Sequence, residues 1–388
     1  MGASSFIAGK LRFNGHIVTV CVAVSFLVMI IAVSVSDGFR REIRSGVAGI
    51  CGDIFLTSTS MNYLSEDDPI CACPSYKSAL DSVRGVVKVT PTVYRAGIVK
   101  CGENIHGVLF KGIPERSDST SLSVSIPSRL SEILSLKEGD SFLTYFVGEK
   151  MKVRKFFVSD IYPSILDSNE SLIVYASIDD MRRLNGWTSE DASALEVTLS
   201  DEFRSPRAMR EKNSEIGYLT YERAGTGDDA LVATSAVQKF PQLFDWLNLI
   251  DGNVFFILVL MTIVAGFNMI SGLLIMLFRN ISTIGILKSM GMTDRSISKV
   301  FLLVSSRLVA FGMVIGNALA FLFCWIQSST HLLRLNPENY FVSFVPVCVN
   351  VPKVIVADAA AFAAIMLLLM MPCIFISRVD PARTVRSQ

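Results

Sequence analysis

The side chains of this 388-residue chain that could do chemistry are three histidines, eight cysteines and 35 carboxylates, and their spacing argues against most of it. His16, His106 and His331 stand far apart, and no HExxH or Cys/His cluster gathers metal-ligand types, so no metal site is expected. Cys71-Ala72-Cys73 does not have zinc spacing, and Glu66, Asp67 and Asp68 read as a solvated turn before Pro69 rather than an acid/base pair. There is no GxxxxGK(S/T) loop to cradle nucleotide phosphates, no GxSxG elbow and no kinase signature. The expectation is a chain with no catalytic residue and no cofactor of its own. A net charge of +1 lacks the basic excess that nucleic acid calls for.

What the spacing does offer is a surface. In "ISTIGILKSMGMTDRSI", residues 281–297, the side chains of Ile281, Ile284, Leu287 and Met290 fall on one helical face. Gly291 stops that helix and Thr293 can cap the next. Two readings stay open from physics: a helix lying flat at a membrane interface, or a helix that docks in a groove on a separate ATPase.

Those residues sit between long apolar stretches. The chain is 51% hydrophobic and 18% charged with a mean hydropathy of +0.47, too apolar for an ordinary soluble protein. Four windows reach the roughly 20 apolar residues that a bilayer requires: 17–36, 252–278, 300–326 and 354–377. Ser34-Val35-Ser36 resembles a cleavage site, but the first window exceeds the roughly 7–15 residues of a signal-peptide core, so an uncleaved anchor is expected. Basic residues in short flanks set orientation: Lys10 and Arg12, then Arg279, Lys288, Arg295 and Lys299, then Arg378, Arg383 and Arg386. They place 1–16, 279–299 and 378–388 in the cytoplasm, with 37–251 and 327–353 outside. Arg40, Arg41 and Arg44 oppose that assignment, but long domains cross largely regardless of charge.

The unit 37–251 reads as α+β. Phe39, Ile43 and Val47 extend the first span as a helix. Strand-like runs follow: "DIFLTST", "VVKVTPTVYRAGIVK", "HGVLFKGI", "SFLTYFV", "MKVRKFFVSDIY", "SLIVYAS" and "SALEVTLS". "IDDMRRLNGW" reads as a helix capped by Asp179 or Asp180, and "DEFRSPRAMREKNSEI" as a helix interrupted near Pro206. Phe240, Leu243, Phe244 and Leu247 form an amphipathic face leading into span two. In the membrane, Gly312, Gly316 and Ala320 are spaced for close helix packing, "VADAAAFAA" opens span four with small residues, and Asn268 is the notable polar group of span two. Cys21, Cys324 and Cys373 fall in or near spans; Cys51, Cys71, Cys73, Cys101 and Cys348 are external, where both bridged and reduced states are open.

The stretch "AGFNMISGLLIMLFRNISTIGILKSMGMTDRSISKVFLL", Ala265 to Leu303, resembles the core of the FtsX-like (MacB-type) ABC transporter permeases, most of all the lipoprotein-releasing LolC/LolE-type transmembrane subunits. "SVSDGFRREI", "FKGIP", "LKEGDSF", "IVYASIDDMRRL" and the closing "DPARTVR" agree in order, so the resemblance spans nearly the whole chain. It implies a membrane protein of four transmembrane helices, with the α+β extracytoplasmic domain between the first and second and a cytoplasmic coupling helix between the second and third. It implies a bacterial inner-membrane location, a second permease subunit (the same chain or a paralogue) and cytoplasmic ATPases that hold the ATP and magnesium. It also implies a lipoprotein substrate and a periplasmic lipoprotein carrier. Ile284, Gly285, Ile286, Leu287, Lys288 and Gly291 match the ATPase-coupling segment, while Thr283 stands where the family often has an acidic residue. Met29, Phe39, Val264, Phe267 and Asn268 become candidates to line an apolar cavity between spans one and two of paired subunits. Alternatives in the same architecture are a MacB-like exporter of peptides or small molecules and a non-transporting FtsX-like relay that activates cell-wall hydrolases.

Overall fold

The computed structural model describes residues 16–373 apart from 103, 117–121, 149–150, 163–171, 225–229, 337–339 and 341. The terminal basic residues Lys10, Arg12, Arg378, Arg383 and Arg386, with the closing "DPARTVR", lie outside the described residues. The chain divides into two compact units. One comprises Met1–Arg40, Leu247–Arg334 and Phe344–Gln388; the other comprises Arg41–Trp246 with Leu335–Ser343.

The first unit holds the apolar helices. Among the described residues, four helices are long and apolar enough to cross a membrane: His16–Cys51, Pro241–Arg279, Asp294–Thr330 and Val351–Pro372. Their shared core is built by Phe26 and Met29 of the first, Ala265, Met269 and Leu273 of the second, Phe301 and Val309 of the third, and Ala361 and Ile365 of the fourth. Outward faces carry exposed Phe255, Phe267, Phe311, Trp325, Ile355 and Leu367, a distribution that hydrocarbon solvates and water does not. The third helix packs on the first through its small residues. A Cβ at Gly312 would lie 2.9 Å from Val22 Cγ1, and one at Gly316 would meet Ala23 O and lie 2.9 Å from Phe26 Cβ. Ala320 is fully buried on the same face.

The second unit is α+β. Its strands are β1 (Ile54–Thr57), β2 (Ile70–Cys71), β3 (Val86–Cys101), β4 (Asn104–Ile113), β5 (Ser123–Pro127), β6 (Ser141–Phe146), β7 (Lys152–Tyr162), β8 (Ile173–Ser177), β9 (Asp191–Ala192), β10 (Ala194–Leu199) and β11 (Val232–Ser235). Nine form a sheet in the order β11-β1-β10-β3-β4-β8-β5-β7-β6, and β2 pairs with β9. The 16-residue β3 is the spine. Its first half pairs with β10, its second half with β4, and Ile98–Lys100 also pair with β6. Phe110, Phe146 and Phe156 stack edge-on or tilted at centroid separations of 4.9–6.1 Å in the core beneath.

Two local expectations are corrected. The helix Ile178–Asn185 is capped by Ser177, whose hydroxyl accepts from Asp179 N at 3.3 Å. Asp179 and Asp180 instead occupy its first turn, where the helix dipole favours an anion, and Asp180 accepts from Leu122 N at 2.8 Å. Pro206 begins a helix rather than interrupting one: Ser205 caps Pro206–Arg223, and proline fits a position whose N–H has no helical partner. Of the amphipathic set, Leu243, Phe244 and Leu247 are buried, while Phe240 precedes the helix as the cap of Ala236–Lys239.

Candidate functional site

The helix Ile281–Ser289 ends in a hydrogen-bonded reversal that its sequence dictates. Gly291 takes φ +87°, Met292 N donates to Leu287 O and Gly291 N to Lys288 O, both at 3.0 Å, which closes a Schellman turn. Thr293 then caps Asp294–Thr330 by accepting from Ser296 N, and Lys288 pairs with Asp294 across the turn at 2.8 Å. The segment is therefore a formed helix in a fixed turn.

Its apolar face is only partly available to another protein. Ile284 is 1% exposed and belongs to the core of the membrane unit, Gly285 is buried, and Leu287 is half-buried against the same core. This corrects the reading of the whole stripe as a surface awaiting cover. Ile284 and Leu287 seat the helix on its own chain, and Ile281 is half-buried. Met290, at the C-cap beyond the last turn, leaves that face and is 77% exposed; Ile286 is 52% exposed. With Ser282, Thr283 and Ser289 these form the outward surface.

A cleft of about 530 Å³ opens in the membrane unit between the first, second and fourth helices. Met29 lines it with Leu258, Val259, Thr262 and Ile263 of the second helix and the alanines 357, 360, 361 and 364 of the fourth, whose missing side chains make the space. Its polar lining side chain, Thr262, is satisfied within its helix by Leu258 O at 2.8 Å. Such walls suit a flexible hydrocarbon and offer nothing to orient a polar solute. Of the candidate lining residues, only Met29 is brought to the cleft. Phe39 is buried elsewhere, Val264 and Phe267 are exposed away from it, and Asn268 is half-buried outside it. The fourth helix supplies the remaining wall of this cleft. Around the ends of these helices Arg40 pairs with Asp251, which also accepts from Ser36 Oγ at 2.9 Å, and Lys353 pairs with Asp37.

In the α+β unit the most buried ion pair holds a helix end. Tyr94, Lys111 and Tyr175 stand in register on β3, β4 and β8. Lys111 Nζ donates to Gly49 O at 2.8 Å and Ile50 O at 3.1 Å and pairs with Glu196 at 2.8 Å. Tyr94 Oη donates to Ile50 O at 2.7 Å and also contacts Glu196; Tyr175 Oη donates to Gly49 O at 3.2 Å. Three donors thus serve the last carbonyls of His16–Cys51, where a cation also complements the helix dipole. Burial pushes the Tyr94 phenol well above its usual range and the Tyr175 phenol up to about 12. Sequence patterning missed this cluster. It also missed Asp358 of the fourth helix, although a carboxylate within an apolar window is itself a signal. Among the described residues, Cys71, Cys73 and Cys101 form no disulfide.

Residues 255–381 match the family model described as FtsX-like permease C-terminal, and the four long apolar helices among the described residues indicate a multi-pass membrane protein. Among individual proteins it is similar to the lipoprotein-releasing system transmembrane protein LolC of Neisseria meningitidis serogroup B, at 20% identity over 94% of this chain and 92% of that one. Solved structures with similarity are the periplasmic region of MacB from Actinobacillus actinomycetemcomitans (14% identity, TM-score 0.32, 51% of this chain and 95% of that one) and the extracellular domain of the noncanonic ABC-type transporter YknZ from Gram-positive bacteria (14% identity, TM-score 0.31, 47% and 99%).

Proposed function

We propose that this chain is the transmembrane permease subunit of an ABC transporter that extracts mature lipoproteins from the bacterial inner membrane and passes them to a periplasmic carrier. ATP and magnesium act on a separate cytoplasmic subunit. The observation that carries the reading is similarity to LolC along nearly the full length of both chains, rather than over the permease domain alone. In this reading the α+β unit is extracytoplasmic, the helix Ile281–Ser289 is the coupling helix, and a second permease subunit completes the transporter. The ATPase docks on the outward face of Thr283, Ile286 and Met290, with Lys288 and Gly291 shaping the turn behind it. Acyl chains enter the cleft between the first, second and fourth helices, whose unpatterned apolar walls accept chains of differing length.

The test has two arms. In a cysteine-free background, a membrane-impermeant maleimide applied to intact cells labels a cysteine at Ser82 and spares one at Ser289; the opposite pattern overturns the topology. Photo-crosslinkers at Val259 and Ile263, both exposed in the cleft, capture lipoprotein in the nucleotide-free complex. Capture of bulk phospholipid alone at both positions overturns the cargo assignment.

A further inference from the structure

The fourth membrane helix carries a carboxyl in its interior, at Asp358, which is 8% exposed. Its hydrogen-bonded partner is Asn317 of the third helix, whose Nδ2 donates to Asp358 Oδ2 at 2.6 Å. The other two oxygens of the pair, Asp358 Oδ1 and Asn317 Oδ1, are both buried and both lack a donor. Each is an acceptor when Asp358 is ionised, so an anion in the membrane interior would leave two unsatisfied atoms, each costly in hydrocarbon.

One proton removes both deficits. Placed on Asp358 Oδ1, it lets the acid donate to Asn317 Oδ1 while the amide donates to Asp358 Oδ2, closing a ring with two hydrogen bonds. The assignment of oxygen and nitrogen in the Asn317 amide does not change the conclusion. The flipped amide would set two oxygens 2.6 Å apart, and that contact also requires a proton. Around these helices Asp37 and Lys353 pair with each other, and Arg40 pairs with Asp251. No lysine, arginine or histidine among the described residues pairs with Asp358.

We infer that Asp358 carries a proton in the membrane and forms with Asn317 a doubly hydrogen-bonded acid–amide pair that joins the third and fourth helices. The pair holds the helix whose adjoining alanines 357, 360 and 361 wall the apolar cleft. It is a proton-dependent brace for that wall, because the ionised form keeps one hydrogen bond and the protonated form keeps two. Interhelical polar pairs in membranes are individually modest, so the brace fixes position more than it adds stability.

Infrared spectroscopy of the full chain in lipid nanodiscs tests this directly. The wild-type protein at neutral pH shows a carbonyl band of a protonated carboxyl, and the band is lost in Asp358→Asn. That variant keeps the wild-type melting temperature, because an amide–amide pair reproduces both hydrogen bonds. In Asn317→Leu the acid band persists but moves to higher frequency, because its carbonyl loses the amide N–H. A wild-type-minus-Asp358→Asn spectrum containing only carboxylate bands overturns the inference, as does an acid region unchanged by that substitution. If Asn317→Leu fails to fold, the Asp358→Asn comparison decides alone.

Discussion

Replacing Lys111 with methionine removes the cation from the end of the first helix while keeping side-chain length. The Lys111 and Glu196 side chains are 4% and 9% exposed, so the pair is shielded from screening. Gly49 O keeps the Tyr175 hydroxyl as donor, while Ile50 O and the buried Glu196 are left to share the single Tyr94 hydroxyl proton, so the main loss is an under-satisfied buried carboxylate. Breaking one side of such a pair costs about 3–5 kcal/mol. For a unit of this size each kcal/mol moves the melting temperature by about 2–4 °C, which gives a fall of about 6–20 °C. Trp187, whose Nε1 donates to Glu66 O at 2.9 Å in the same unit, reports the melt by fluorescence in the detergent-solubilised full chain. The double variant Lys111→Met/Glu196→Leu should recover most of the loss, since an apolar pair of similar volume replaces a buried ion pair at little cost. A single variant that melts within 2 °C of wild type, or a double variant less stable than the single, would refute the reasoning.

Three further outcomes follow from the same structure. Ile286→Asp leaves the fold intact because its site is exposed, yet it lowers ATPase affinity more than about a hundredfold by placing an unpaired charge in the contact; Ile284→Asp instead destabilises the membrane unit, and a pull-down with a parallel melt separates the two. The Tyr175 phenol is raised in the folded state to about 12, so its contribution is complete below the unfolded value of about 10 and is lost as pH rises through about 12. Equilibrium unfolding of the α+β unit between those pH values should show falling stability, and Tyr175→Phe should flatten the fall. Gly316→Leu drives a side chain into the backbone of the first helix and destabilises by about 1–3 kcal/mol or more, whereas Gly252→Ala, with open space around it, is neutral or better by thermal melt.

Long apolar windows and period-2 runs made the four membrane helices and the major strands legible, because both signals depend on burial that recurs at a fixed spacing. The short β5, "SVSIP", escaped because alternating serines hide a strand whose residues are all buried. Three polar residues within four positions, Ser177, Asp179 and Asp180, each fit a cap by type, and only the backbone conformation selects Ser177. At the candidate site, periodicity marked the stripe Ile281–Ile284–Leu287 but could not tell whether it faces its own chain or a partner. The alanine wall of the cleft and the Asn317–Asp358 pair unite residues about 40 positions apart or more. No local pattern encodes such contacts, although the isolated carboxyl in an apolar window was a readable warning.

The central claim is ATP-driven release of lipoprotein. The permease is reconstituted in proteoliposomes with its ATPase and partner subunit, an acylated lipoprotein is supplied in the membrane, and transfer to a soluble carrier is followed by sedimentation. The account predicts transfer that requires ATP hydrolysis and is abolished by Ile286→Asp with the permease still folded. Carrier-bound lipoprotein appearing equally without ATP, or ATP-stimulated hydrolysis with no lipoprotein leaving the membrane, would contradict it.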